Sequence, residues 1–158
     1  MTIRIGVGYD VHAFATGRPL VLGGVIIPFE FGLSGHSDAD AVIHAIVDAL
    51  LGAAALGDIG QHFPSSDERW KNRPSSVFLD YTYDLLRQQH YVINNVDATI
   101  VAERPELAPH VQPMRIHIAE HLHLSIEQVS VKATTTDGLG FAGRKEGIAC
   151  YAVALIEK

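Results

Sequence analysis

The order of apolar and polar residues along the chain predicts strands and helices in alternation. Short apolar runs bounded by glycine or proline are typical of strands, and longer amphipathic runs are typical of helices. The predicted strands are residues 3–8, a hairpin of 19–22 and 25–28 around Gly23 and Gly24, and residues 96–102, 129–136 and 148–156. The predicted helices are residues 42–51, a second from Ser75 or Ser76 to about residue 89, and 111–121. This interleaving favours an α+β fold, a single domain over residues 1–158 with a mixed β-sheet and helices packed on one face.

The first predicted helix is apolar almost all round, as expected of a helix buried in a domain. Ser37 or Asp38 is expected to cap its start, and Gly57 to end it. Yet Asp40, His44 and Asp48 recur every four residues, which places them on one face. A polar stripe on a buried helix is costly unless other groups satisfy it.

A second polar pair follows the first strand and suggests what the stripe does. Asp10 and His12 are two residues apart, so in extended backbone their side chains point to the same side. Alone, His44 would more often be a hydrogen-bonded core histidine. With Asp10 and His12 it makes one carboxylate and two imidazoles, a set that leaves a metal position open for substrate.

The same three residue types allow two other interpretations. Two histidines and one carboxylate also describe the iron site of non-haem Fe(II) oxygenases. A non-catalytic module stabilised by zinc is the third possibility, although structural zinc prefers four ligands rich in cysteine.

Composition narrows the class of protein. The 158 residues are 47% hydrophobic and 19% charged, which is typical of a globular protein. A formal net charge of −6 argues against general nucleic-acid binding. Cys150, the single cysteine, cannot form an internal disulfide and is expected to be inert core. With no signal-peptide pattern and no long apolar segment, we expect a cytoplasmic protein with no membrane partner.

A glycine-rich segment near the end of the chain resembles a nucleotide fingerprint only superficially. Residues 138–143 fit G-x-G-x-x-G, but that fingerprint must open a helix and be followed by an acidic partner about 20 residues later. Here residues 148–154 are predicted to form a strand. The segment nevertheless gathers cations, hydroxyls and a carboxylate suited to phosphate and to a hard cation such as Mg²⁺: Lys132, Thr134, Thr135, Thr136, Asp137 and Arg144. A long hairpin with a solvated tip explains it equally well.

Three segments together resemble one enzyme family. They are residues 4–12 (Arg-Ile-Gly-Val-Gly-Tyr-Asp-Val-His), residues 35–60 from Gly-His-Ser-Asp-Ala-Asp to Gly-Asp-Ile-Gly, and residues 131–144 from Val-Lys-Ala-Thr-Thr-Thr-Asp to Phe-Ala-Gly-Arg. The chain resembles the 2-C-methyl-D-erythritol 2,4-cyclodiphosphate synthases over essentially its whole length.

The resemblance implies a homotrimeric lyase of the non-mevalonate (MEP) route of isoprene biosynthesis, with active sites between subunits. Its substrate would be 4-diphosphocytidyl-2-C-methyl-D-erythritol 2-phosphate. The 2-phosphate of this substrate would attack the β-phosphate, close a cyclic diphosphate and expel CMP.

The resemblance also implies residue roles. Asp10, His12 and His44 would hold Zn²⁺, and Asp137 would bind a second divalent ion, Mg²⁺ or Mn²⁺. His36 and Thr135 match positions that stabilise the transition state. Substrate-binding positions are matched by Asp10, His12, Ser37, Asp58, Ile59, Gly60, Phe63, Pro64, Ser65, Ser66, Asp67, Ala102, Glu103, Arg104, Pro105, Glu106, Leu107, Ala108, Lys132, Ala133, Thr134, Thr136, Asp137, Phe141 and Arg144. Two residues depart from the family pattern: Asp137 replaces the usual glutamate, and Tyr151 replaces a residue that is often acidic.

Overall fold

The computed structural model describes residues 1–158, which form seven strands and five helices. The strands are β1 (Ile3–Ala15), β2 (Leu20–Leu22), β3 (Val25–Ile27), β4 (Gly32–Leu33), β5 (Val92–Val101), β6 (Val129–Thr134) and β7 (Gly147–Glu157). The helices are α1 (Ala41–Ala53), α2 (Ile59–His62), α3 (Ser76–Gln88), α4 (Val111–Leu122) and α5 (Gly140–Gly143).

Five strands form one mixed sheet in the order β4-β1-β7-β5-β6, and β2 and β3 form a separate hairpin. Strands β5 and β6 are parallel, whereas the other neighbours are antiparallel. The last strand, β7, lies between β1 and β5, so the segment from β6 to β7 crosses over β5. The alternative of a long hairpin for the glycine-rich segment is therefore wrong.

Helix α1 packs across β1, β7 and β5 and forms the centre of the core. Two glycines of β1 permit a very close approach. A Cβ added at Gly6 would lie 2.0 Å from the carbonyl oxygen of Ala49, and one added at Gly8 would lie 1.8 Å from that of Ala45. Side chains at these two positions would push the helix away from the sheet.

The opposite face of the sheet carries no helix. Alternate residues of β1 expose apolar side chains there, among them Ile5 and Val7, which are 70% and 69% exposed. Tyr9 lies opposite Tyr151 of β7, and their ring centroids are 4.8 Å apart. The structure therefore presents an uncovered apolar sheet face on one side and a closed helical layer on the other.

Three local expectations from the sequence are corrected by the structure. Asp10 and His12 do not follow the first strand but lie within it, because β1 continues to Ala15. The cap of α1 is Asp40, whose carboxylate accepts hydrogen bonds from the backbone N–H groups of Val42 and Ile43. The helix ends at Ala53, well before Gly57, because Ala55 takes a left-handed φ of +57°.

The expectations for the β2–β3 hairpin and for Cys150 agree with the structure. Gly23 and Gly24 both have positive φ and join β2 to β3, as a two-residue hairpin turn requires. Cys150 is buried in the core, and burial raises the pKa of its thiol. None of the helices combines the length and apolar character needed to cross a membrane.

Candidate metal centre and phosphate-binding segments

Strand β1 and helix α1 bring together the three predicted metal ligands. Asp10 Oδ2 lies 2.7 Å from His12 Nε2 and 3.2 Å from His44 Nδ1, and the two ring nitrogens are 3.4 Å apart. The close packing of α1 on the glycines of β1 explains this convergence, since His44 directly precedes Ala45. One carboxylate oxygen and two imidazole nitrogens thus point at a common position.

The electrostatics of the group follow from these contacts. Burial alone would raise the pKa of Asp10, but its side-chain contacts with His12 and His44 lower it below its usual value. Burial alone would lower the pKa of His12, but its hydrogen bond and charge pairing with Asp10 raise it overall. The carboxylate is therefore held in its ionised form, which is the form that binds a cation.

The remaining ring nitrogens are engaged by other groups, as in protein metal sites. His12 Nδ1 lies 2.8 Å from the carbonyl oxygen of Ser34. His44 Nε2 lies 2.8 Å from Ser75 Oγ and 3.1 Å from Ser37 Oγ. The donor set therefore fits a divalent metal ion, with both imidazoles oriented by a second contact.

The other two members of the polar stripe have different roles. Asp40 accepts hydrogen bonds from the backbone N–H groups of Gly23 and Gly24 at 2.9 and 2.7 Å, so it ties the hairpin to α1. Asp48 accepts from the N–H of Ile59 at 2.7 Å and anchors the start of α2. Neither carboxylate belongs to the metal-ligand group.

A cavity of about 190 Å³ opens beside the candidate metal group. Its lining residues are His12, His36, Ser37, His44, Ile59, Phe63, Ser65, Trp70 and Phe78. His36 is fixed there by a contact of 3.1 Å between its Nε2 and the carbonyl oxygen of Asp67. Asp67 itself pairs with Arg69, and the hydrogen bonds from Arg69 lower the pKa of its carboxyl.

Sequence reasoning missed three residues of this region: Ser75, Trp70 and Phe78. Phe63, which was predicted, packs against Trp70 and Phe78 with ring centroids 5.1 and 4.3 Å away. The sequence offers no signal for Trp70 and Phe78 beyond ordinary apolar character. Ser75 was identified only as a possible helix cap.

A second cavity of about 300 Å³ lies at the carboxyl ends of β5 and β6. Its lining residues are Ala102, Glu103, Arg104, Pro105, Glu106, Leu107, Ala108, Ala133, Thr134 and Thr135. Residues 102–108 and 133–135, which the family resemblance implies for substrate binding, thus surround one open space. Thr135 is the only residue assigned to the transition state that lines this second cavity.

The segment after β6 is held in place by Glu103. Its carboxylate accepts hydrogen bonds from the backbone N–H groups of Thr136 and Gly138, at 2.9 and 3.3 Å, which lower the pKa of Glu103. Asp137 lies between these two residues, is exposed and has a left-handed φ of +53°. Its Oδ1 is 3.4 Å from Thr135 Oγ1.

The two predicted cations of the segment, Lys132 and Arg144, form ion pairs within the chain. Lys132 Nζ pairs with both carboxylate oxygens of Asp97 at 2.6 Å. Arg144 pairs with Glu146 at 3.1 Å, and Phe141 lies in α5. Both cations are therefore engaged within the chain.

The sheet register fixes the relation between the two cavities. Asp10 lies opposite Cys150, Cys150 opposite Ile100, and Ile100 opposite Ala133. Three strand spacings of 4.7–4.9 Å place the two ends of this row about 14 Å apart. The cavities thus open at the same end of the sheet, and they have no lining residue in common.

Comparison with known proteins identifies the family. The model of the YgbB family matches residues 3–157. The chain belongs to the YgbB family. This family member is 58% identical over 154 residues to the 2-C-methyl-D-erythritol 2,4-cyclodiphosphate synthase of Azotobacter vinelandii, with 98% of each chain covered. It is also 58% identical over 156 residues to the synthase of the same name from Geobacter metallireducens, with 99% of each chain covered.

Solved structures of relatives share the fold of this YgbB protein. The bifunctional IspDF of Campylobacter jejuni matches with a TM-score of 0.94 and 43% identity over 98% of this chain, which covers 42% of that longer protein. IspF of Plasmodium falciparum, solved as a CDP complex, matches with a TM-score of 0.86 and 36% identity over 98% of this chain and 95% of its own.

Proposed function

We propose that the protein is a lyase that cyclises 4-diphosphocytidyl-2-C-methyl-D-erythritol 2-phosphate to 2-C-methyl-D-erythritol 2,4-cyclodiphosphate and releases CMP. The observation that carries the proposal is the convergence of Asp10, His12 and His44 beside a cavity, in a chain so similar to named synthases. The whole chain, residues 1–158, would act as one synthase domain in the non-mevalonate route to isoprenoids. A cytoplasmic location remains part of the proposal.

The metal of the convergent group is proposed to be Zn²⁺. Two imidazoles and one carboxylate are a common ligand set of catalytic zinc, which keeps a further position open. A divalent ion held by Asp10, His12 and His44 would supply positive charge at a phosphate oxygen of the substrate. Asp137 is proposed to hold a second ion, Mg²⁺ or Mn²⁺, since an exposed carboxylate together with phosphate oxygens of a bound substrate would suit a hard cation.

The reaction joins two anions, so most of its barrier is electrostatic and positional. An oxygen of the 2-phosphate forms a bond to the β-phosphorus, and the bond from the β-phosphorus to the bridging oxygen breaks. The electron pair leaves with CMP. No proton must be removed from a phosphate that is already ionised, so a dedicated general base is not required.

The side chains that line the two cavities would bind different parts of the substrate. His36 and Thr135 are proposed to stabilise the charge that develops at the β-phosphate. Ser37 and the predicted residues between Asp58 and Asp67 would bind the methylerythritol phosphate. The lining of the second cavity would bind the cytidine diphosphate, in keeping with the CDP complex of the Plasmodium falciparum relative.

A homotrimer with shared active sites is the final part of the proposal. The uncovered apolar face of β1 and β7 is the kind of surface that association buries. In a threefold ring each interface is heterologous, so the metal side of one chain can meet the nucleotide side of the next. The separation of the two cavities within one chain supports this arrangement.

The decisive experiment is incubation with the cytidylylated substrate in the presence of Zn²⁺ and Mg²⁺. We expect CMP and a cyclic diphosphate to be released in equal amounts. ³¹P NMR and chromatography measure the two products. Metal analysis of the purified protein should find about one zinc per chain. CMP release without ring closure would indicate simple hydrolysis, and bound iron in place of zinc would contradict the metal assignment.

A further inference from the structure

We infer that Asp38 and Ser75 are positioning residues that fix the ring of His44 for metal binding through a chain of two hydrogen bonds. The inference rests on the proposed function, because it takes His44 as a metal ligand. It adds two residues that the sequence and the family resemblance did not single out for this role. The chain runs from the Asp38 carboxylate through the Ser75 hydroxyl to His44 Nε2.

The direction of the chain follows from the chemistry of its first member. An ionised carboxylate can only accept hydrogen bonds, so the hydroxyl of Ser75 must donate its proton to Asp38 Oδ1. The lone pairs of Ser75 Oγ are then left to face His44 Nε2 at 2.8 Å. Nε2 must therefore carry the ring proton and donate it to Ser75.

This direction decides which nitrogen of His44 can bind a metal. A neutral imidazole with its proton on Nε2 has its free lone pair on Nδ1. Nδ1 is the atom that faces Asp10 and His12, at 3.2 and 3.4 Å. The chain thus selects the tautomer of His44 that the candidate metal centre needs, and holds the ring plane as well.

The surroundings keep the chain rigid. Ser75 is fully buried, so water does not compete for its hydroxyl. The carboxylate of Asp38 also accepts hydrogen bonds from the backbone N–H groups of Ser75 at 2.9 Å and Asp40 at 3.1 Å. Asp38 is therefore fixed between the starts of α1 and α3.

Ser37 is a less specific partner of the same nitrogen. Its Oγ lies 3.1 Å from His44 Nε2 and accepts a weak hydrogen bond of 3.3 Å from the N–H of Ala39. No carboxylate accepts the proton of Ser37, so this hydroxyl does not by itself determine which ring nitrogen of His44 carries the proton. Of the two serines, only Ser75 makes a hydrogen bond to His44 whose direction is set, because Asp38 accepts the proton of its hydroxyl.

The test is the zinc affinity of the full-length protein, measured by competition with a chromophoric chelator. Removal of the hydrogen bond in Ser75→Ala should raise the zinc dissociation constant about 10–100-fold, the range found for second contacts of metal-bound histidines. Asp38→Asn should weaken zinc similarly, because it removes the charge that orients the hydroxyl. Ser75→Thr, which keeps the hydroxyl, should bind zinc more tightly than Ser75→Ala.

The cobalt-substituted protein gives a readout that does not depend on turnover. Its visible absorption bands report the ligand field, and we expect them to shift or weaken in Ser75→Ala and Asp38→Asn. Ser76→Ala is the matched control, since Ser76 begins the same helix and takes no part in the hydrogen bonds that link Asp38, Ser75 and His44. It should leave zinc affinity and the cobalt spectrum unchanged.

Different results would contradict the positioning role of Asp38 and Ser75 and the proposed metal site. If Ser75→Ala and Asp38→Asn, both folded by circular dichroism, bind zinc as tightly as Ser76→Ala, the positioning role is wrong. His44→Ala should lose the metal altogether. If His44→Ala keeps its zinc, the metal assignment itself is wrong and the inference fails with it.

Discussion

At the scale of single residues, Asp40 best illustrates what a sequence pattern can and cannot tell. The spacing of Asp40, His44 and Asp48 correctly placed three polar side chains on one face of a buried helix. It could not reveal that four backbone N–H groups, two from the turn between β2 and β3 and two from α1, satisfy Asp40. Only tertiary structure brings the hairpin to the start of α1. The sequence alone therefore could not tell whether Asp40 is a metal ligand or a helix cap.

The burial of Asp40 predicts a specific pH dependence. Burial first, and then the charge of Asp38, raise its pKa to about 6, although backbone hydrogen bonds oppose the shift. The unfolded chain should have the ordinary value near ~4. Since the folded state holds the proton to higher pH, this residue's contribution is fully present below pH ~4 and is lost as pH rises through about 6.

As the pH rises from ~4 to ~7, we therefore expect the free energy of unfolding of wild type to fall by about 2–3 kcal/mol relative to that of Asp40→Asn. The free energy of unfolding in urea, measured for both proteins across this range, checks the prediction. Asp84→Asn, which replaces an exposed carboxylate of α3 and keeps Asp40, serves as the control and should follow the pH dependence of wild type. A difference between wild type and Asp40→Asn that stays constant with pH would contradict the assignment.

Asp137 carries a second prediction at the same scale. Asparagine tolerates the left-handed backbone at this position, so Asp137→Asn removes a charge with little change of conformation. We expect the Mg²⁺ concentration for half-maximal rate to rise about tenfold, because ligand charge tunes the affinity for hard cations. Initial rates at fixed zinc and varied Mg²⁺ measure it.

The matched variant for this site is Asp137→Glu, which lengthens the carboxylate and keeps its charge. It should retain a Mg²⁺ requirement close to that of wild type. Full turnover by wild type in a chelating buffer with only zinc restored would exclude a second ion at this position.

At the scale of elements, β1 was predicted too short for a definite reason. Alternating apolar residues identified its first half, but the polar residues Asp10 and His12 interrupt the apolar pattern and fell outside the predicted strand. The pairing of β1 with β7 extends from Ile3 to Ala13 and keeps this polar pair within the strand. A long-range pairing partner, absent from any local pattern, thus decided the boundary.

The contact between β1 and α1 can be tested at Gly8. A Cβ there would lie 1.8 Å from Ala45 O, so Gly8→Ala must displace the helix that carries His44. We expect a loss of at least about 1–3 kcal/mol in the free energy of unfolding. Zinc content should fall as well, because the ligands on the two elements separate.

Gly52→Ala is the matched control on the same helix. The nearest atom to its added Cβ is 3.9 Å away, which is an ordinary contact. This variant should keep its zinc and gain up to about 1 kcal/mol in stability, as alanine favours helix over glycine. Equal behaviour of the two variants in urea unfolding and metal analysis would refute the close-packing argument.

At the scale of the whole molecule, the sequence predicted the fold class, the mixed sheet and the helices on one face. It did not predict the order of the strands, because nothing local specifies that β7 inserts between β1 and β5. Nor did it reveal that Ile5 and Val7 face outward, since alternation identifies two faces without telling which one meets the core. Assembly therefore has to be argued from the uncovered face.

Complementation between two inactive variants tests the shared site. His12→Ala removes the metal side and Thr135→Val the nucleotide side, so each should be inactive when refolded alone. Unfolded together in equal amounts and refolded, they should give about a quarter of the interfaces intact on both sides, because each side is intact with a probability of about one half. CMP release near a quarter of the wild-type rate is the expected result.

The control for this experiment is a mixture of His12→Ala with His44→Ala, which damage the same side. That mixture should recover no activity although it forms the same assemblies, as sedimentation can verify. If the first mixture also fails to recover while mixed assemblies are present, the active site lies within a single chain.

The candidate ligands come from two layers of the fold, Asp10 and His12 from the sheet and His44 from the helix above it. An ion that binds all three residues would therefore link the sheet to the helix layer. It would bind the folded chain in preference to the unfolded one. By thermodynamic linkage, metal at about 100 times its dissociation constant adds about 2.7 kcal/mol to stability. The melting temperature of the protein should therefore rise with the concentration of the bound metal ion, and removal of the metal should lower stability as well as the proposed activity.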